Sequence, residues 1–62
     1  MTTYVVNAKI TNNQVLTNEF DTLLNACQWA DKVEGVKVIE IEERKRNDYG
    51  LLMEKVVRYF YR

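Results

Sequence analysis

Residues 36–62 read VKVIEIEERKRNDYGLLMEKVVRYFYR, and whether the second half of this stretch is helix or strand decides the fold. Within residues 50–62 the polar side chains Glu54, Lys55, Arg58 and Arg62 recur at i, i+1, i+4 and i+8, the spacing of a helical stripe. Folding the stretch back as an antiparallel hairpin gives a stricter test. With Arg44 set opposite Glu54, the same register puts Glu43 opposite Lys55, Glu40 opposite Arg58, Ile41 opposite Val57, Ile39 opposite Tyr59 and Val38 opposite Phe60. Acid meets base and apolar meets apolar throughout, the matching that stabilises cross-strand neighbours. The register leaves Asp48-Tyr49-Gly50 as a three-residue loop, with glycine at the left-handed position of a G1 bulge. Pairing and turn chemistry agree, so the stretch is read as two strands.

Working outward, Tyr4, Val6, Ala8 and Ile10 alternate with Asn7 and Lys9, the period-2 pattern of a strand with one buried face. Asn12-Asn13 marks a turn, because asparagine tolerates positive φ. A second strand follows from about Gln14 to Phe20. A two-residue loop would set Val6 opposite Glu19. A three-residue loop ending at Gln14 sets Ile10 opposite Leu16 and Val6 opposite Phe20, and is preferred because side-chain faces decide register. Asp21 then stands where a helix N-cap belongs, Gly35 where a C′ glycine belongs, and Lys32 in the last turn. Between them Leu23, Ala26, Cys27, Ala30 and Val33 form one apolar stripe with Trp29 at its edge. The expected fold is α+β: a ββαββ chain, one domain over residues 1–62, with strands near 3–11, 14–20, 36–46 and 51–61 and a helix near 22–34. Strand orders 2-1-3-4 and 1-2-4-3 both keep all neighbours antiparallel.

A chain of 62 residues buries only about 60% of its unfolded surface, so stability should be marginal. One cysteine closes no internal bridge and there is no histidine, which leaves self-association as the remaining means of reinforcement. No apolar run reaches the roughly 20 residues a membrane span needs, and no signal-like leader stands at the start. An intracellular, cytoplasmic protein is expected. The formal net charge is zero, yet residues 1–43 carry −4 and residues 44–62 carry +4. Such asymmetry fits either a charged partner or internal pairing.

No catalytic residue, metal ligand or cofactor is expected. General acid–base and nucleophilic chemistry leans on histidine, Cys27 has none to activate it, and no EF-hand, zinc or phosphate-loop spacing occurs. A lone cysteine on an apolar helix stripe reads as a small core residue. The hairpin register turns Val38, Val56, Phe60 and Leu52 away from the helix, among charged residues, which is the usual anatomy of a protein contact. Lys45, Arg46 and Arg62 are left without an opposite acid, Tyr49 sits at the loop tip, and Trp29 flanks the helix stripe. These residues are the candidate partner-binding set. The bland reading makes them the rim of a hairpin whose open face is covered by a terminus, though a chain this short has little to cover it with.

The expectation is a non-catalytic module that binds another protein, or itself as a homodimer. Size and lack of motif are similar to those of small orphan proteins of phage and mobile elements, many of which bind and block a host protein. An inhibitor or accessory role is therefore expected. The alternative is a single-stranded nucleic-acid binder, since Arg44, Lys45, Arg46 and Arg62 lie near Tyr49, Tyr59, Phe60 and Tyr61, and bases stack on aromatics while cations track phosphates. Zero net charge weighs against that alternative.

Overall fold

The computed structural model describes residues 2–10 and 13–61. The fold is α+β, with four strands and one helix in the order β1 (Thr2–Ile10), β2 (Val15–Phe20), α1 (Leu23–Lys32), β3 (Val36–Arg46) and β4 (Leu52–Tyr61). All neighbours are antiparallel and the sheet order is β2-β1-β3-β4. The first expected strand order is therefore the observed one. The two hairpins join through β1 and β3, and β2 and β4 are the edges.

The helix packs on one face of the sheet. Val6 and Ala8 of β1, Ile39 and Ile41 of β3, Val36, and Ala26 and Ala30 of α1 form the buried cluster. Tyr4, Ile10, Phe20, Leu23, Cys27, Trp29, Val33, Val57 and Phe60 close around it. Cys27 is partly buried against this core, and Trp29 lies against Phe20 with ring centroids 5.9 Å apart. Alanine at positions 26 and 30 keeps the helix close to the sheet, as tight packing requires.

The expected β1–β2 register is offset by two residues. Ala8, not Ile10, faces Leu16, and Tyr4, not Val6, faces Phe20. The Ile10 N–H donates to the Gln14 carbonyl at 2.9 Å, so three residues do separate the strand ends, but they are 11–13 rather than 12–14. Asn13 has φ 63°, the left-handed residue that closes this type of loop. An even offset leaves the faces unchanged, which is why the inward set was correct. Thr11 and Asn12, to which the strand end and the turn were assigned, lie outside the described residues.

The expected helix ends are corrected as well. Thr22, not Asp21, is the N-cap: its backbone is extended and its hydroxyl accepts the Asn25 N–H at 3.1 Å. A cap must reach the N–H three residues on, and Asp21 stands one residue too early. At the other end Val33 is the C-cap in an extended conformation, so the helix stops before Glu34. Gly35, with φ 73°, belongs to the turn into β3 rather than to a C′ position.

The β3–β4 hairpin follows the expected register for Glu42 to Arg46 and departs from it beyond. Glu43 faces Lys55 and Arg44 faces Glu54, but a β-bulge between Ile41 and Glu42 leaves Val57 as an extra residue on β4. From there Ile41 faces Arg58, Glu40 faces Tyr59, Ile39 faces Phe60 and Val38 faces Tyr61. Phe60 therefore turns toward the helix, and Tyr59 and Tyr61 turn away, the reverse of the expected faces. The physical reason is the hydroxyl. Burying tyrosine against Ile39 would require a partner for its O–H, whereas phenylalanine carries no polar atom. The Glu40–Arg58 pair given up for this is an exposed one, worth about 0.2–1 kcal/mol.

The loop itself is as expected. Asn47 N–H donates to the Leu51 carbonyl at 3.0 Å and Gly50 N–H to the Asn47 carbonyl at 2.9 Å. The Asn47 side-chain oxygen accepts from the Tyr49 and Leu51 N–H groups. Gly50 has φ 79°, and a Cβ there would meet no atom within 4 Å. The cost of replacing it is thus backbone strain alone. Gly50→Val should lower stability by about 1–2 kcal/mol in urea denaturation, and Gly50→Asn by less. Thr22→Ala should cost about 1 kcal/mol while Asp21→Ala changes little, an order that would be inverted if Asp21 were the cap.

Candidate protein-contact face

The sheet face away from the helix is built from alternate residues of all four strands. Along the β3–β4 hairpin it forms a ladder of cross-strand pairs: Val38 with Tyr61, Glu40 with Tyr59, Glu42 with Val56, Arg44 with Glu54 and Arg46 with Leu52. β1 adds Thr3, Val5, Asn7 and Lys9, and β2 adds Val15, Thr17 and Glu19. The Thr17 hydroxyl and the Asn7 side-chain oxygen meet at 3.1 Å on this face. Val5 is buried here although no helix covers it. Its cross-strand neighbours are Glu19 on β2 and Glu42 on β3, so it sits in the middle of the sheet.

The far end of the ladder is aromatic and acidic. Tyr59 and Tyr61 stand edge to face, with centroids 5.4 Å apart, planes at 87° and hydroxyls 3.2 Å from each other. They are 52% and 72% exposed. The Tyr61 hydroxyl first, and then the nearby Glu40 charge among smaller causes, hold the Tyr59 phenol above its usual range. Glu40 and Glu42 lie two residues apart on the same face and share a hydrogen bond, which raises the Glu40 pKa and lowers that of Glu42; Arg44 lowers Glu42 further.

The near end is basic, and its cations are engaged. Arg44 Nη2 lies 3.2 Å from Glu42 and its Nε 3.9 Å from Glu54. Arg46 donates to the Gly50 carbonyl at 2.8 Å, and Lys45 lies 3.8 Å from Glu43. Lys45 belongs to the helix side of the sheet, since its neighbour Glu43 accepts from the Tyr4 hydroxyl there. Arg46 and Lys45 thus have partners that cross-strand matching did not show. The basic end borders a shallow depression of about 300 Å³ lined by Thr3, Glu19, Arg44, Lys45, Arg46 and Leu52.

Of the expected contact residues, Val38 and Val56 are on the open face, Val56 half exposed. Phe60 is on the other face, in the core margin. Trp29 is tied to Phe20 beside the helix, and Tyr49 is exposed at the hairpin tip, more than about 20 Å from Tyr59 at roughly 3.3 Å per residue along β4. Arg62 lies outside the described residues. Tyr59, Tyr61 and Glu40 were missed because the bulge that places them together has no glycine or other turn residue to mark it.

Among the described residues, no group of three or more acidic or cysteine side chains is placed to hold a metal ion. No helix among them is long and apolar enough to cross a membrane. Comparison of the chain with protein-family models, curated proteins and solved structures finds no match.

The carboxylate pair makes a pH-dependent prediction. Glu40 holds its proton more tightly folded than unfolded, so its ionisation works against folding; any advantage it gives is present at low pH and lost as pH rises through its folded pKa. Glu40→Gln should leave stability unchanged at pH 3 and raise it slightly at pH 7, measured by urea denaturation at both. In carboxyl-carbon NMR titration the Glu40 midpoint should lie above that of Glu42.

Proposed function

We propose that this protein is a non-catalytic binding module whose C-terminal hairpin contacts another protein. One observation carries the reading. β4 is a ten-residue strand at an open sheet edge, and Leu52, Met53, Val56, Tyr59 and Tyr61 along it are all half exposed or more. An edge of this kind presents unpaired backbone groups together with apolar side chains, the combination used in strand addition and in ordinary protein contacts. An inhibitor or accessory role of the phage type fits a small chain that offers a contact surface.

The single-stranded nucleic-acid reading is less well supported by the geometry. Tyr59 and Tyr61 stand at the far end of the ladder with Glu40 and Glu42 nearby, and Tyr49, at the hairpin tip, is the exposed tyrosine near Arg44 and Arg46, which are engaged within the chain. Carboxylates at the stacking platform repel the phosphates that a nucleic acid would bring.

Charge matching disfavours several ways of pairing this edge with a second copy. Two β4 strands paired antiparallel about Glu54, Lys55 or Arg58 place like charges opposite each other. Pairing about Val56 matches Glu54 with Arg58 by number, but the bulge turns Glu54 to the open face and Arg58 to the helix face. Opposite residues of an antiparallel pair must share a face, so this register fails.

Photo-crosslinking tests the reading. With benzoylphenylalanine in place of Val56, an extract of the source cells should yield discrete protein adducts that the same substitution at Leu24, on the exposed back of the helix, does not give. Equal labelling at both positions, or salt-sensitive micromolar binding to random single-stranded DNA or RNA by filter titration, would overturn it.

A further inference from the structure

Resting on that protein-contact reading, we infer that the segment bound is arginine-bearing, with a guanidinium seated on the open face against Tyr59, Tyr61 and Glu40. Charge complementarity selects this chemistry. Of the three acids on β3, Glu42 has Arg44 at 3.2 Å and Glu43 has Lys45 at 3.8 Å, while Glu40 has no cation within ion-pair distance among the described residues. Its cross-strand neighbours are Asn7 and Tyr59, neither of which carries positive charge. The Tyr59–Tyr61 pair beside it supplies aromatic surface in two perpendicular planes.

A cation over a tyrosine ring is attracted by the ring's negative face, and a carboxylate at the ring margin adds charge and a hydrogen-bond acceptor. A guanidinium satisfies both at once, because it is planar, stacks on aromatic rings and donates in a fork to a carboxylate. An ammonium can meet the charge but cannot stack. A phosphate or an acidic segment would meet Glu40 and Glu42 directly. Protonation is consistent with the assignment, since the Glu42 side chain, burial and then the Glu42 charge hold the Glu40 pKa up, and a cation placed there would favour the charged form. The basic end of the face does not compete for the same group, because Arg44 and Arg46 are satisfied within the chain.

Three amidated eight-residue peptides test the inference: one alternating arginine with threonine, one lysine with threonine and one glutamate with threonine. Each is titrated into the isotopically labelled full chain at about 0.15 M salt and followed by amide NMR. The arginine peptide should give saturating shifts at Val38, Glu40, Tyr59 and Tyr61, with the lysine peptide severalfold weaker and the glutamate peptide silent. Tyr61→Ala and Glu40→Gln should each weaken the arginine peptide at least fivefold, and Leu24→Ser should leave it unchanged. Circular dichroism is to be recorded on each variant to check that it is folded; Tyr61 is 72% exposed, so its loss should leave the core intact.

Absence of saturating shifts at these four residues would overturn the inference, as would equal response to arginine and glutamate peptides or an undiminished response in Glu40→Gln. If Val56 cross-links to a protein while the arginine peptide fails, the arginine assignment falls and the protein-contact reading stands. If neither binds, both fall.

Discussion

The two hairpins become one sheet because Val6 and Ala8 of β1 lie opposite Ile41 and Ile39 of β3, all four fully buried. Every other feature follows from this junction. The two isoleucines are the largest fully buried side chains besides Val6, and each contributes about 1.5–3 kcal/mol on removal from water. The helix reaches them by presenting alanines at positions 26 and 30, so the core is narrow and centred on β1 and β3. The two outer strands contribute only margins to it, Phe20 from β2 and Val57 and Phe60 from β4. A core so placed leaves the far edge of the sheet, along β4, with apolar side chains half exposed or more.

Two bulges adjust the sheet to this narrow core, and they work by the same principle. Between β1 and β3 the register shifts so that Val36 faces Ile10 and Lys37 is the extra residue; Val36 is buried and Lys37 exposed. Between β3 and β4 the shift brings Phe60 over Ile39 in place of Tyr59. Strict alternation would have sent an ammonium toward the helix in the first case and a phenol in the second, where the shift places the exposed Arg58 on the helix side instead. A bulge locally interrupts the ladder; an unsatisfied buried hydroxyl costs about 1–3 kcal/mol and a buried ammonium more. The second bulge has the larger consequence, because it gathers Tyr59 and Tyr61 on the open face next to Glu40.

How far this could be read in the sequence depends on distance from a turn. Gly50 and Asn47 fix the hairpin tip, so Glu43–Lys55 and Arg44–Glu54 were legible from pairing alone. The ββαββ order and the inward faces of β1, β2 and α1 were legible from periodicity, since an error of two residues in the β1–β2 register leaves every side chain on its proper face. The bulge at Val57 was not legible. Its run Val56-Val57-Arg58 has the composition of uninterrupted strand, and the charge match of Glu40 with Arg58 argued for continuity. That match misled because exposed ion pairs are weak beside the demands of the core. The helix cap was missed by one position for a related reason: Asp21 and Thr22 are both good caps, and only the reach to Asn25 N–H separates them.

The open face also bears on how a chain this short can function. Leaving Val56, Tyr59 and Tyr61 half exposed forgoes burial that a marginal domain could use, at roughly 25 cal/mol per Å² of apolar surface. Polar residues there would serve the sheet about as well, because the buried cluster includes none of the three. The forgone burial is recovered when a partner covers the face, and binding to the folded state adds stability by mass action, about 2.7 kcal/mol at a hundredfold excess over Kd. On the proposed reading, then, the hairpin couples folding to binding. The domain is adequate alone and firm when occupied, and the bulge that keeps a phenol out of the core also supplies the aromatic surface that a partner would cover.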